Sequence, residues 1–430
     1  GIILAIIAIP VHLQINGKSD YGNYIFFHFI ISFGLLLNIG INKIVAVEVA
    51  KKKFLVELIK QSLKISLYIV FIIMLISSIL SFIFEKYFNF LSIASGLSLT
   101  VIYLTFDGIL QGFKKFKLLS IVNFIFYTLS LNLPSIYLLI NNILNFKMLI
   151  IFSIFLKLIS ILIILFYLKK YFKFNYNKNL KYDFISKLKK YSKWYSLHIL
   201  NLQIFDFVDK YFIKIFMGPI ALAIYSIPYQ LAGKLTILSK SISAVLLPEI
   251  SYSNEKINFN LSLNIFTFVI PLFILITFPF LDKILILWLQ DQYSIRILDL
   301  TKVFLIVAWV SGISHILITY FEAKKKIKFN TILELYFLFP FLLILSYVLF
   351  EFKNLVLISF VLLFKELILI IFRTNKLKQI IDLFYLIYLN IIIVIMNLII
   401  NMFYVEYFYY SITSLILFNS YLLINKTFKK

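Results

Sequence analysis

Four lysines lie where an ammonium group is hardest to keep. Lys157, Lys210, Lys234 and, less centrally, Lys365 fall inside apolar runs long enough to cross a bilayer. A lysine at the centre of such a helix costs roughly 2.5–3.5 kcal/mol even on the mild insertion scale. Lys43, Lys214, Lys240 and Lys302 stand nearer the ends of their runs, where a long stem can carry the charge to the headgroups. For the first four an interior aqueous cavity is the economical explanation. Ammonium groups there can hold a phosphate or diphosphate as point charges.

Helical spacing groups polar partners around them. Ser153, Lys157 and Ser160 share one helix face, as do Gln203, Asp206 and Lys210 with Asp209 adjacent, and Gln230, Lys234 and Ser241. Lys157, Lys210, Lys234, Asp206 and Gln230 are therefore the candidate binding residues. Asp209, Lys365, Glu366 and Gln111 are candidates for gating or coupling. The acidic residues admit two readings. Asp206 with Lys210 at i,i+4, and Lys365 beside Glu366, can lock helices as ion pairs, or a carboxylate can tune a binding lysine or carry a proton. Gln111-Gly112 with Lys114 and Lys115 similarly reads either as a cytoplasmic latch or as a snorkelling anchor. His12, His28, His198 and His315 occur singly and read as hydrogen-bonded packing residues.

Other chemistries drop out. The chain has no cysteine and no HExxH spacing, so no metal or other cofactor is expected. There is no P-loop, no GxSxG and no loop aspartate pair of the glycosyltransferase kind, so the expectation is a non-enzyme.

The elements that position these residues must sit in lipid. Of 430 residues, 62% are hydrophobic and 14% charged, with mean hydropathy +0.99, against about half apolar and a quarter charged in a soluble domain. Fourteen apolar runs follow one another, the first of them, Gly1 to Ile15, shorter than a full span and read as a helix whose start is missing. Alternate loops carry 28 basic residues against 6 in the others, without loss of phase, which predicts both termini on the cytoplasmic side. The net charge of +23 therefore belongs to membrane topology and not to nucleic acid. The longest loop, residues 169–193, reads as a basic linker lying on anionic headgroups. It separates an N-terminal lobe, 1–168, from a C-terminal lobe, 194–372, with 373–430 adding two more helices and a basic tail.

The two lobes resemble each other. Gly17-Lys18-Ser19-Asp20-Tyr21-Gly22-Asn23-Tyr24 leads into the second span as Gly218-Pro219-Ile220-Ala221-Leu222-Ala223-Ile224-Tyr225 leads into the eighth. Leu110-Gln111-Gly112-Phe113-Lys114-Lys115-Phe116-Lys117 matches Phe321-Glu322-Ala323-Lys324-Lys325-Lys326-Ile327-Lys328. An even number of helices between repeats preserves orientation, which predicts two lobes about an axis along the membrane normal with the site between them. Glycines Gly34, Gly40, Gly108 and Gly112 are expected to let helices approach closely.

Four motifs in order carry a family resemblance. They are Tyr21-Gly22-Asn23-Tyr24 with Ser32-Phe33-Gly34 and Asn38-Ile39-Gly40; Asp107-Gly108-Ile109-Leu110-Gln111-Gly112; Asp209-Lys210-Tyr211-Phe212-Ile213 through Ile224-Tyr225-Ser226; and Leu247-Pro248-Glu249-Ile250-Ser251. Over nearly the whole chain this resembles the polysaccharide-exporter, or O-antigen flippase, branch of the multidrug/oligosaccharidyl-lipid/polysaccharide exporter superfamily. Ala221-Leu222-Ala223 departs from the more polar turn usual in the family. The resemblance implies an all-α fold of about fourteen helices in the bacterial inner membrane. It implies translocation of a polyprenyl-diphosphate-linked oligosaccharide by alternating access. The implied partners are that substrate and membrane lipids, together with a polysaccharide polymerase and glycosyltransferases. A cation-coupled drug or metabolite antiporter should favour a carboxylate-rich cavity and ranks second. A peptidoglycan-precursor flippase is a third reading. A membrane-embedded glycosyltransferase or polymerase should carry a large outer loop, and none here exceeds the short segment Asp282–Asp299.

Overall fold

The computed structural model describes residues 2–50, 55–140, 146–172, 184–252, 257–324 and 326–377. The predicted spans at 383–404 and 407–424 and residues 173–183 of the basic linker lie outside them. Every described element is helical. They are α1 (Ile2–Ser32), α2 (Gly34–Leu37), α3 (Ile41–Ala50), α4 (Leu55–Phe84), α5 (Tyr87–Gly112), α6 (Phe116–Asn123), α7 (Ser130–Ile140) and α8 (Phe146–Phe172). Then follow α9 (Phe184–Tyr252), α10 (Ile257–Asn264), α11 (Ile270–Leu289), α12 (Ile295–Ala323), α13 (Ile327–Tyr347) and α14 (Leu355–Lys376). Single π turns, Phe124–Leu129 and Ile265–Val269, join α6 to α7 and α10 to α11, and a third, Val348–Phe352, extends α13. Among the described residues 10 segments are long and apolar enough to cross a membrane. One of these, Lys193–Ser243, is 51 residues long and contains the break at Gly218 that separates the seventh and eighth predicted spans.

The chain divides into two compact units, Gly1–Lys214 and Ile215–Lys430. The first half of α9 therefore packs within the N-terminal unit, although in sequence it follows the basic linker. Each unit is built around one helix. The membrane windows of α5 and α12 are 72% and 78% buried, whereas that of Glu57–Phe84 is 11% buried. Small side chains explain the centrality of α5, which buries Ser92, Ala94, Gly96, Ser98 and Thr100. A Cβ at Gly108 would lie 2.2 Å from the Asn42 carbonyl oxygen, and one at Gly112 would lie 2.5 Å from Val49 Cβ. Glycine lets the α3 backbone press against α5 there, as in other lipid-embedded helix pairs. Around that contact Val45, Leu58, Phe106, Val122 and Ile164 form the apolar core of the unit.

The internal repeat reappears as backbone geometry. Gly17 (φ 72°, ψ 174°) and Gly218 (φ 85°, ψ 175°) adopt the same extended, positive-φ conformation inside α1 and α9. Nothing lies within 4 Å of where a Cβ would stand at either residue, so conformation and not space demands glycine. Further on, Lys115 N–H donates to Leu110 O at 3.0 Å, and Lys326 N–H to Phe321 O at 2.7 Å. Phe113 N–H to Ile109 O and Lys324 N–H to Tyr320 O, both 3.0 Å, form a second equivalent pair. These are the six-to-one and five-to-one closures with which helices commonly end.

Candidate functional site

The asparagine of the Asn38-Ile39-Gly40 motif ties a turn to the central helix. Asn38 Nδ2 donates to Val101 O (3.2 Å) and Thr105 Oγ1 (3.1 Å), and its Oδ1 accepts from Asn42 N–H (3.0 Å). Ile39 and Gly40 both have positive φ, 53° and 73°. Ser196 Oγ donates to Ile39 O at 3.2 Å, bringing the start of α9 onto this turn.

From there α9 runs along α1 through an aromatic seam. Phe207 meets Phe33 at 4.5 Å between centroids, and Tyr211 stacks on Phe26 at 6.3 Å. The Lys214 ammonium stands 3.8 Å from the centre of the Phe26 ring, and that of Lys210 stands 5.2 Å from the Phe29 ring. Ring faces attract a desolvated cation, so the seam supports both lysines.

Lys210 is 1% exposed and its salt bridge, 3.1 Å, is to Asp209, which is 0% exposed. The i,i+4 ion pair of Asp206 with Lys210, one of the two readings that the sequence left open, does not form. Lys210 Nζ donates instead to the backbone oxygen of Asp206 at 2.6 Å. The Asp206 side chain is exposed, and no described residue pairs with its carboxylate. A lysine stem curling back along its own helix reaches the preceding carbonyl before it reaches that residue's outward-pointing side chain.

Lys157 sits on a different interior surface of the same unit. Its side chain is buried, its ammonium donates to Phe126 O at 3.2 Å, and it lies 4.1 Å from the Phe126 ring centre and 5.8 Å from that of Tyr127. No described carboxylate pairs with it. Phe126 lies in a π turn, where the shifted bonding leaves carbonyls for donors from a neighbouring helix. Ser153 and Ser160, on the predicted polar face of α8, are both fully buried. Ser153 Oγ is 3.3 Å from His28 Nε2, and Ser160 Oγ donates to Lys157 O at 2.6 Å. His28 meets the Tyr24 ring at 4.7 Å, and Tyr24 stacks on His12 at 5.1 Å. His12 Nδ1 in turn is 2.7 Å from Ser135 Oγ. The single histidines of α1 thus join one buried polar row, which no spacing in the sequence shows.

In the C-terminal unit Lys234 and Gln230 are half-buried, one helical turn apart, and no described residue pairs with the Lys234 ammonium. Lys365 and Glu366 form a salt bridge of 2.9 Å on α14, with side chains 10% and 14% exposed. Gln111 Nε2 donates to Asp107 Oδ2, one turn back on α5, at 2.6 Å. Sequence reasoning missed an ion pair as enclosed as Lys210–Asp209. Arg373, 1% exposed, reaches Glu334, 0% exposed, at 2.8 Å. Arg373 Nε also donates to Asn330 Oδ1 at 2.7 Å, and Nη1 to Ser314 Oγ. The available signal was Glu334 itself, a carboxylate inside the apolar run 332–350, to which the argument made for the lysines applies equally.

No protein-family model matches the chain. A curated protein of Shigella flexneri named "Putative O-antigen transporter" is 23% identical over 245 residues, 56% of this chain and 58% of the relative, so the match spans little more than half of that protein. Among solved structures, an inward-facing multidrug-resistance MATE transporter of the MOP superfamily has a TM-score of 0.61 at 12% identity, covering 88% of this chain and 95% of that one. A MOP-superfamily transporter from Pyrococcus furiosus gives 0.59 at 12% identity over 88% and 96% of the two chains. A variant of a MATE transporter from Vibrio cholerae gives 0.58 at 13% over 89% and 96%. The superfamily expected from the motifs is the one whose fold the chain shares. It is a multi-pass, all-α membrane protein with the fold of the multidrug/oligosaccharidyl-lipid/polysaccharide exporter superfamily.

Proposed function

We propose that this chain is a flippase that carries a polyprenyl-diphosphate-linked oligosaccharide across the bacterial inner membrane by alternating access, with both termini in the cytoplasm. The name of the Shigella relative and the four ordered motifs support that substrate class. One observation carries the reading: Lys157 and Lys234 stand within spans, and no described carboxylate neutralises either. An uncompensated interior cation is costly to keep. A substrate that brings its own negative charge offsets that cost each time it binds. Lys234, half-buried beside Gln230, is open to a phosphate as it stands, whereas Lys157, enclosed by Phe126 and Tyr127, is reached only if α8 or the π turn moves.

The test is export of lipid-linked oligosaccharide by cells carrying Lys157→Ala, Lys234→Ala or both, with membrane abundance measured in parallel. Each single substitution should lower export while leaving abundance normal. Full export by the double variant would refute the reading. Drug efflux by the wild type in place of oligosaccharide export would move it to the antiporters.

A further inference from the structure

We propose that the turn between α5 and α6 binds the phosphate headgroup of an anionic phospholipid. The chain there is forced into a compact shape. Gly112 ends α5, Lys114 takes a left-handed conformation (φ 56°), and Lys115 N–H closes onto Leu110 O at 3.0 Å before α6 begins at Phe116. Lys114, Lys115 and Lys117 are thereby gathered on one exposed turn. No described residue pairs with any of their ammonium groups. All three line one open cavity of about 340 Å³ together with Phe116, Ile121 and Tyr167.

Two further features select the ligand. Lys115, at the N-cap of α6, makes no side-chain cap, so no capping side chain takes up the first amides of that helix. The helix dipole adds its positive end to the three lysines. On the other flank Phe116 is 59% exposed and Ile121 50% exposed, continuing into the apolar outer surface at Phe124 and, on α8, Phe166. A free phosphate has no use for that flank. A phospholipid fits both, with its phosphate on the ammonium groups and its first acyl carbons against Phe116 and Ile121. The turn also belongs to the basic set of loops, the side on which lysines are expected to face anionic headgroups. The site is independent of the transported substrate.

Native mass spectrometry of the purified full chain in detergent tests it, with dihexanoylphosphatidylglycerol, dihexanoylphosphatidylcholine, farnesyl diphosphate and inorganic phosphate as probes. The phosphatidylglycerol probe should bind wild type more tightly than the phosphatidylcholine one. Each of K114Q, K115Q and K117Q should weaken that binding about fivefold, and the triple variant roughly 100-fold. The control K326Q/K328Q, at the equivalent turn of the second unit, should retain it. Phe116→Ser should weaken lipid binding severalfold. The proposal is overturned if the lysine variants bind the phosphatidylglycerol probe like wild type, or if inorganic phosphate displaces it at equal concentration. It is overturned equally if farnesyl diphosphate is held more tightly, which would assign the turn to the transported lipid.

Discussion

Removing one member of the Arg373–Glu334 pair should destabilise the protein far more than removing both. The Arg373 guanidinium donates to Glu334, Asn330 and Ser314, while Glu334 Oε1 also accepts from Asn330 Nδ2 at 2.8 Å. Both side chains are essentially inaccessible, at 1% and 0%. Arg373→Met takes the guanidinium away from the Glu334 carboxylate in a dry interior, and breaking a buried pair in this way costs about 3–5 kcal/mol. In a unit of this size that corresponds to a melting temperature lower by roughly 6–20 °C. Arg373→Met with Glu334→Leu removes only the hydrogen bonds that the pair makes to Asn330 and Ser314, a loss of about 1–3 kcal/mol, partly recovered by apolar packing. The measurement is loss of the monodisperse peak in size-exclusion chromatography after heating in detergent, read as a double-mutant cycle. Lys365→Met is the internal comparison, because its salt bridge with Glu366 is less enclosed, at 10% and 14% exposure, and its loss should cost less than that of Arg373. If the double variant melts as low as the singles, or Lys365→Met as low as Arg373→Met, the electrostatic argument is wrong.

Other substitutions should separate equally cleanly. Lys210→Met should lower the yield of folded protein, with recovery when Asp209→Asn is added and none when Asp206→Asn is added, as followed by in-gel fluorescence of a tagged chain. Gly108→Ala should cost at least about 1–3 kcal/mol, because the new methyl meets the Asn42 backbone and not a side chain that can swing away; the same heating assay reads it. Gly218→Ala and Gly17→Ala should each cost about 1–3 kcal/mol through backbone conformation alone, with no change in neighbouring packing. Reporter fusions after Lys170 and Lys326 should behave as cytoplasmic and those after Glu85 and Glu351 as extracytoplasmic; reversal at Lys170 would undo the helix count.

The fold was largely legible because its signals are local. Apolar length fixes spans, and Gly17 and Gly218 mark breaks that only glycine tolerates. The matching turns at Lys115 and Lys326 follow from glycine or alanine ahead of a lysine run. Site geometry was less legible because ion pairs in a bundle are chosen across helices. Spacing alone offers Asp206 as the partner of Lys210, yet the lysine stem curls onto the Asp206 carbonyl and its charge goes to Asp209. Arg373 reads in sequence as one more loop cation, and its partner Glu334 stands 39 residues away on another helix. The row His12, Tyr24, His28 and Ser153 needs α1 and α8 side by side before it exists. The π turns have no compositional mark.

Those turns set a rule for reading length along the helices. In a crystal, a row with one member too many is a dislocation, and the defect stays where something pins it. Here the pins are donors from neighbouring helices: the Lys157 ammonium on Phe126 O and the Trp309 indole on Phe266 O at 2.6 Å. Deleting one residue from Phe124–Leu129 would heal the defect. It would keep the register of the helix beyond it, and so leave Ser135 beside His12, but Lys157 would then face a regular helix with no carbonyl to spare.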